Sequence, residues 1–118
     1  MDAATVVQAQ LDAYNRKDMG ALLQTFAPDA EQYELHGALL AKGHAEMSAR
    51  FAIRFTEPNL HARLISRNVM ANFVIDHEEV TRDFKDGIGC VEMICVYEVS
   101  DGLIVRASYA LSPPRYLR

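Results

Sequence analysis

The sequence predicts an α+β domain in which helices cover one face of a mostly antiparallel sheet. Three observations predict it. Apolar residues in the first half recur mainly at helical spacing, whereas those after Pro58 read as strands. Helices therefore largely precede strands, an order that segregates them onto one face of a sheet. The length of 118 residues suits one compact domain, and 50% apolar with 24% charged residues is an ordinary folded mixture.

From Asp2 to about Arg16, apolar Val6, Val7, Ala9, Leu11, Ala13 and Tyr14 fall at helical spacing. Asn15-Arg16-Lys17 ends this helix, with basic residues where the dipole favours them. Asp18 caps a short second helix through Phe26, carried by Met19, Leu22, Leu23 and Phe26, and Pro28-Asp29 stops it. Residues 30–36 mix polar and aromatic types as a half-buried strand does, and a hairpin around Gly37 returns through Leu39-Leu40. Lys42-Gly43-His44 opens a third helix with Met47, Phe51 and Phe55 on one face. Pro58 closes it, because the residue before a proline avoids the helical region.

Strands are expected over 60–74, 74–84, 90–99 and 103–111. Asp86-Gly87 and Asp101-Gly102 tolerate the positive φ of tight hairpins and make the last three a meander. The chain divides into a single domain over 1–112 and an irregular tail over 113–118. Centring a two-residue turn on Asp101-Gly102 pairs Val99 with Ile104, Tyr97 with Arg106, Cys95 with Ser108 and Met93 with Ala110. Glu92, Ile94, Val96, Glu98, Val105, Ala107, Tyr109 and Leu111 then share the opposite face. Both faces are apolar at their centres, where a solvated face would alternate. One is expected to cover helices or a pocket, the other to meet a second chain in a homodimer.

Charge and motifs exclude several classes. A net charge of −4 without a basic run lacks the footprint of a nucleic-acid binder. Met1-Asp2-Ala3-Ala4-Thr5 carries acid where a signal peptide carries base, and no apolar stretch approaches the ~20 residues of a membrane span. A cytoplasmic protein with no membrane partner is expected. Cys90 and Cys95, five apart on one strand, lie roughly 16 Å apart, beyond disulfide reach. His36, His44, His61 and His77 are scattered, and HExxH, paired Cys, GxGxxG, Walker and GxSxG patterns are missing, so neither metal nor cofactor is expected.

The order αα-β-β-α-ββββ, with Asn15-Arg16-Lys17-Asp18 between helices, Phe26-Ala27-Pro28-Asp29-Ala30 before the first strand and Lys42-Gly43-His44 before the third helix, resembles the nuclear transport factor 2-like superfamily. Asp76-His77-Glu78 and the segment Val96 to Ile104 look like its SnoaL-like, ketosteroid-isomerase-like branch. The resemblance spans essentially the whole chain. It implies a cystatin-like cone, an α+β roll in which three N-terminal helices pack on a strongly curved sheet, with an apolar pocket and frequent dimers. Its members include ketosteroid isomerase, polyketide cyclases, limonene-epoxide hydrolase, scytalone dehydratase and non-catalytic binding modules, so it specifies fold more than activity.

A gapless match to ketosteroid isomerase puts that enzyme's general base on Glu34 and its oxyanion-hole tyrosine on Gln10. The second oxyanion donor falls near Ile94, or on Cys95 with a one-residue slip. The carboxylate is kept, but two good donors for an enolate are not, so isomerisation by that mechanism is not expected. For the Asp-Arg-Asp network of limonene-epoxide hydrolase, Arg82-Asp83 and Arg67 offer the residue types.

Glu34 and His36 are two apart on the expected strand, with Gln32 beside them, and so share a face. Facing the cone, Glu34 is a base that His36 orients or assists as acid; otherwise both are solvated at a hairpin end. Asp76 and Glu78 share one strand face, His77 and Glu79 the other, and periodicity leaves open which points inward. His77 inside makes a carboxylate–imidazole pair with Glu34 for proton transfer at neutral pH; outside, it joins cross-strand charge pairs with Arg63, Arg67 or Arg106. Glu92 lies with Ile94 and Tyr109 on the face that the resemblance turns inward. Tyr14, Phe26, Phe51 and Phe55 are pocket wall or core.

The expected site thus has Glu34 and His77 as catalytic residues in a pocket of Gln10, Tyr14, Phe26, His36, Phe51, Phe55, Glu92, Ile94 and Tyr109. It would take a small apolar or polyketide-like molecule for cofactor-free acid/base chemistry of isomerase, cyclase, dehydratase or hydrolase type. The alternative is a non-catalytic ligand-binding or dimerisation module of the same fold.

Overall fold

The computed structural model describes residues 2–117. Helix α1 (Ala3–Arg16) starts where the Asp2 carboxylate accepts the Thr5 amide at 2.8 Å. It ends at Lys17, a left-handed cap at φ 56° whose amide returns to the last-turn carbonyls. Asp18 caps α2 (Met19–Gln24) through the Ala21 amide. This helix is shorter than expected because the Thr25 amide and hydroxyl both turn back onto the Leu22 carbonyl, at 3.1 and 2.7 Å. Phe26 therefore begins strand β1 (Phe26–Glu34). Pro28 and Asp29 do not stop a helix; they lie in a bulge of β1, where a missing amide leaves no gap in the ladder.

A hairpin leads to β2 (Leu39–Lys42), and α3 (Gly43–Phe55) follows, ending before Pro58 and burying Met47 and Phe51. The remaining strands are β3 (His61–Met70), β4 (Phe73–Phe84), β5 (Gly87–Ser100) and β6 (Leu103–Leu111). The sheet order is β2-β1-β6-β5-β4-β3, antiparallel except between β1 and β6. The helices lie against its concave side, giving the expected α+β cone. Val6, Val7, Leu22, Phe26, Met47, Tyr97 and Ile104 form the main core; Leu11, Leu60, Ala62, Val80 and Val91 form a second cluster. Among the described residues no helix is long and apolar enough to cross a membrane.

Three expectations change. Residues 113–118 are not wholly irregular, because Arg115–Tyr116 forms a short β7 on the part of β5 that β6 leaves unpaired, Gly89↔Tyr116 and Cys90↔Arg115. Gly89 permits this approach: a Cβ there would meet the Arg115 carbonyl at 3.0 Å and the Phe84 ring at 3.2 Å. Strand β3 stops at Met70, with Ala71 (φ 52°) and Asn72 turning into β4, and β5 starts earlier than expected because Lys85-Asp86 makes the turn that pairs Phe84 with Gly87.

The third change decides the site. Val99 pairs with Ile104 as expected around the Asp101-Gly102 turn, both of positive φ, but Glu98 then pairs with Arg106. Val105 is an extra residue, a bulge that shifts β6 by one position. Cys95 consequently meets Tyr109 and Tyr97 meets Ala107, so Tyr109 shares a face with Cys95 rather than with Ile94.

Candidate functional site

The inner face of β4 is fixed from both ends. Val74 is held in the main core and Val80 in the second cluster. With a side-chain period of two, Asp76 and Glu78 between them must also point inward, and His77 and Glu79 outward. Asp76 is fully buried and receives a two-pronged ion pair from Arg67, at 2.7 and 2.9 Å. The same guanidinium donates to Gln8 Oε1 of α1 at 2.9 Å, tying the first helix to the sheet.

Glu78 lines a cavity of about 340 Å³ between the sheet and helices α1 and α3. The volume suits a small molecule. Leu11, Tyr14, Phe51, Val80, Val91 and Met93 supply most of its apolar wall, with Gln10, Gln32, Cys95, Tyr97 and Tyr109 among them. Glu78 is only 4% exposed, and among the described residues no side chain hydrogen-bonds its carboxyl. Burial, then the neighbouring Asp76 charge, pushes it up to about 7, against a smaller opposing pull from Arg67. A carboxyl so placed exchanges a proton near neutrality.

Donors face it across the cavity. Gln32, 1% exposed, donates to the Tyr109 hydroxyl at 2.8 Å and accepts from Arg50 Nη1 at 3.0 Å. Burial pushes the Tyr109 phenol upward, so it keeps its proton. The Tyr97 hydroxyl reaches Gln10 Oε1 at 3.4 Å. Burial likewise raises the Cys95 thiol well above its usual value, which makes it inert rather than nucleophilic. At the rim, Glu57 clasps Arg54 (2.8 Å) and Arg82 (2.9 Å) and accepts the Asp83 amide (2.9 Å). Burial alone would raise its carboxyl, but the Arg82, Arg54 and amide hydrogen bonds outweigh it and hold it at about 2. Among the described residues no group of three or more His, Cys, Asp or Glu side chains is arranged to hold a metal ion.

Of the residues expected at the site, Gln10, Tyr14, Glu34, Phe51 and Tyr109 line the cavity. Glu34 sits at its rim, exposed, with its carboxyl folded over Gly37. The others are elsewhere. His77 points outward and bonds Glu92 Oε1 at 2.8 Å, so the expected pairing of His77 with Glu34 is replaced by one with Glu92. Glu92 and Ile94 face outward too, because Val91, Cys95 and Tyr97 of the same strand are held in the core and side chains alternate along it. His36 is off the strand, in the turn after β1 at φ 56°, and does not share a face with Glu34. Phe26 is wholly buried behind Phe51 (6.2 Å between rings), and Phe55 packs behind Tyr14 at 5.6 Å.

The sequence leaves Glu78 open and reaches Cys95 only by a one-residue slip from Ile94, and Arg50, Arg54 and Tyr97 line the cavity without having been expected there. The arginines carry a legible signal, since Arg50 and Arg54 follow Met47 and Phe51 by three residues and so border the buried stripe of α3.

The profile of the SnoaL-like domain matches residues 7–107. The chain belongs to the SnoaL-like domain family. No curated protein matches it in sequence. Solved structures similar to this SnoaL-like domain share its fold. One is an uncharacterised cystatin-fold protein from Novosphingobium aromaticivorans, with 21% identity, a TM-score of 0.86, and coverage of 93% of this chain and 98% of that one. Another is a proposed polyketide cyclase from Sinorhizobium meliloti, with 24% identity, a TM-score of 0.76, and 90% and 94% covered. A third is a hypothetical protein of ketosteroid isomerase-like fold from Catenulispora acidiphila, solved with trimethylamine, with 18% identity, a TM-score of 0.77, and 89% and 83% covered.

Proposed function

We propose that this SnoaL-like domain binds a small apolar or polyketide-like molecule in its cone and performs cofactor-free acid/base chemistry on it, with Glu78 moving the proton. The observation that carries this reading is a buried carboxyl aimed into an apolar cavity and left without a side-chain partner among the described residues. Such a group is costly to the fold, and sites where stability is given up are characteristically functional. Glu78 as carboxylate would take a proton from a carbon or hydroxyl acid, and as carboxylic acid would return it elsewhere on the same molecule. The Tyr109 hydroxyl, already accepting from Gln32, has its own proton left to donate to an oxygen that gains charge. Glu34 at the rim is a second carboxylate that could relay protons to water. The presence of a proposed polyketide cyclase among the fold relatives is compatible with this class of chemistry.

Proton exchange tests the reading without knowledge of the natural substrate. In deuterated buffer the protein should accelerate exchange of the α-hydrogens of 2-tetralone, a bicyclic apolar ketone, and Glu78→Gln should remove at least about 99% of that acceleration. Binding without exchange, or equal exchange by the variant, selects the alternative of a non-catalytic ligand-binding module.

The outer face carries Met70, Phe73 and Ile75 exposed to 72%, 36% and 41%. We propose that a second copy of the chain covers it.

A further inference from the structure

We propose that Arg50 is the residue that selects the ligand's polar end, and that the ligand is an apolar carboxylate seated with its carboxylate on Arg50 and its apolar body reaching toward Glu78. The inference rests on the cavity being a ligand site and adds the chemical class of what enters it.

The three arginines on the cavity wall differ in how their charge is met. Arg54 and Arg82 both donate to Glu57, so one carboxylate is shared between two guanidinium groups at 2.8 to 3.0 Å. Arg50 instead donates one N–H to the neutral amide oxygen of Gln32. Among the described residues no carboxylate lies within ion-pair distance of it. A guanidinium has five N–H donors in a planar fork. Here one is committed to holding the group in place and four remain.

The hold is firm because Gln32 is buried and its other end is fixed on the Tyr109 hydroxyl. An amide orients the arginine without neutralising it, which suits a site that must receive an anion. Tyr109 accepts through this chain, so its hydroxyl proton is directed away from Gln32, into the cavity that it lines. Arg50 and Tyr109 thus present donors from one wall. Gln32 on β1 is level with Ala107, Tyr97 and Val74, so Glu78 lies three strand spacings across and four residues along β4, roughly 20 Å measured over the curved sheet. Between them lie Tyr109, Cys95 and Met93 on the sheet and Leu11, Tyr14 and Phe51 above it. A molecule bound at Arg50 must cross this uncharged stretch before it reaches the acid, so charge belongs at one end only. A second anion beside Glu78 would meet a carboxyl already raised by burial and by Asp76.

A matched pair of probes tests this. The chain contains no Trp, so the fluorescence of 2-naphthoate can be read directly during titration, beside that of its neutral methyl ester. The full-length protein should bind the acid at least tenfold more tightly than the ester. Arg50→Gln should remove that preference by weakening the acid about tenfold while the ester changes less than twofold. Arg50→Lys, which keeps charge but loses the fork, should fall between. Circular dichroism of each variant should match the parent, since Arg50, although it lines the cavity, is an exposed residue. Ester and acid binding alike, or Arg50→Gln weakening both equally, overturns the carboxylate inference while leaving the cavity a ligand site. Failure of both probes to bind at millimolar concentration overturns both readings.

Discussion

Glu78 and Asp76 are two residues apart on the same buried face, yet their situations are opposite. Arg67 meets both oxygens of Asp76. Glu78 has the burial without the partner, and its proton affinity rises to about 7 from an ordinary 4.5. Below pH 4.5 it is protonated whether folded or unfolded and has no effect on stability. As pH rises through 7, the unfolded chain ionises first and the folded chain must ionise a buried group, so stability falls. Glu78→Gln cannot ionise. It should raise the thermal midpoint at pH 8, by a gain on the order of 3 kcal/mol at most, and the gain should vanish by pH 4.5 in paired melting curves. Equal melting profiles would place the Glu78 carboxyl in contact with solvent. The sequence displayed both acids side by side, but not which of them Arg67 neutralises, because that partner comes from another strand.

At the scale of elements, the rim depends on the short connection after α3. Glu57 binds Arg54 behind it and Arg82 on β4, and accepts the Asp83 amide, locking the end of a helix to the end of β4. Its carboxyl is held at about 2 against an ordinary 4.5. The clasp therefore adds stability above pH 4.5, and this is lost as pH falls toward 2. Glu57→Gln should lower stability at pH 7 by about 1–3 kcal/mol in urea titrations, and the difference should close at low pH. The pairing of β5 with β6 shows what element-level reading can miss. Asp101-Gly102 identified the turn correctly, and Val99 does face Ile104. One bulged residue, Val105, then shifts β6 by one position against β5, so that Tyr109 faces inward with Cys95 and not with Ile94. A bulge has no composition signal here, since Val105 is an ordinary strand residue.

For the molecule as a whole, the cone has one face covered by helices and one face bearing exposed apolar side chains. His77 and Glu92 form a polar pair on that outer face, beside Ile75 and Ile94. The proposed second copy would cover this surface. Ile75→Glu, whose site faces away from the cavity, should convert a dimer of the parent protein to a monomer in sedimentation at micromolar concentration and leave 2-naphthoate binding unchanged. A parent protein that sediments as a monomer would remove the proposal.

The sequence by itself determined the three helices, the cap at Asp18, the Asp101-Gly102 turn and the α+β order, because local periodicity, capping and turn chemistry act within a few residues of each other. It also brought Gln10, Tyr14 and Phe51 forward as candidates, since helical spacing and the family resemblance fix which side of a helix faces inward. Only the tertiary structure decided the chemistry. Whether His77 or Glu78 enters the cavity depends on Val74 and Val80 being gripped by two separate clusters, and whether Tyr109 joins them depends on one extra residue in β6. In a strand a single-residue shift exchanges the two faces, and that shift is set by contacts between distant segments.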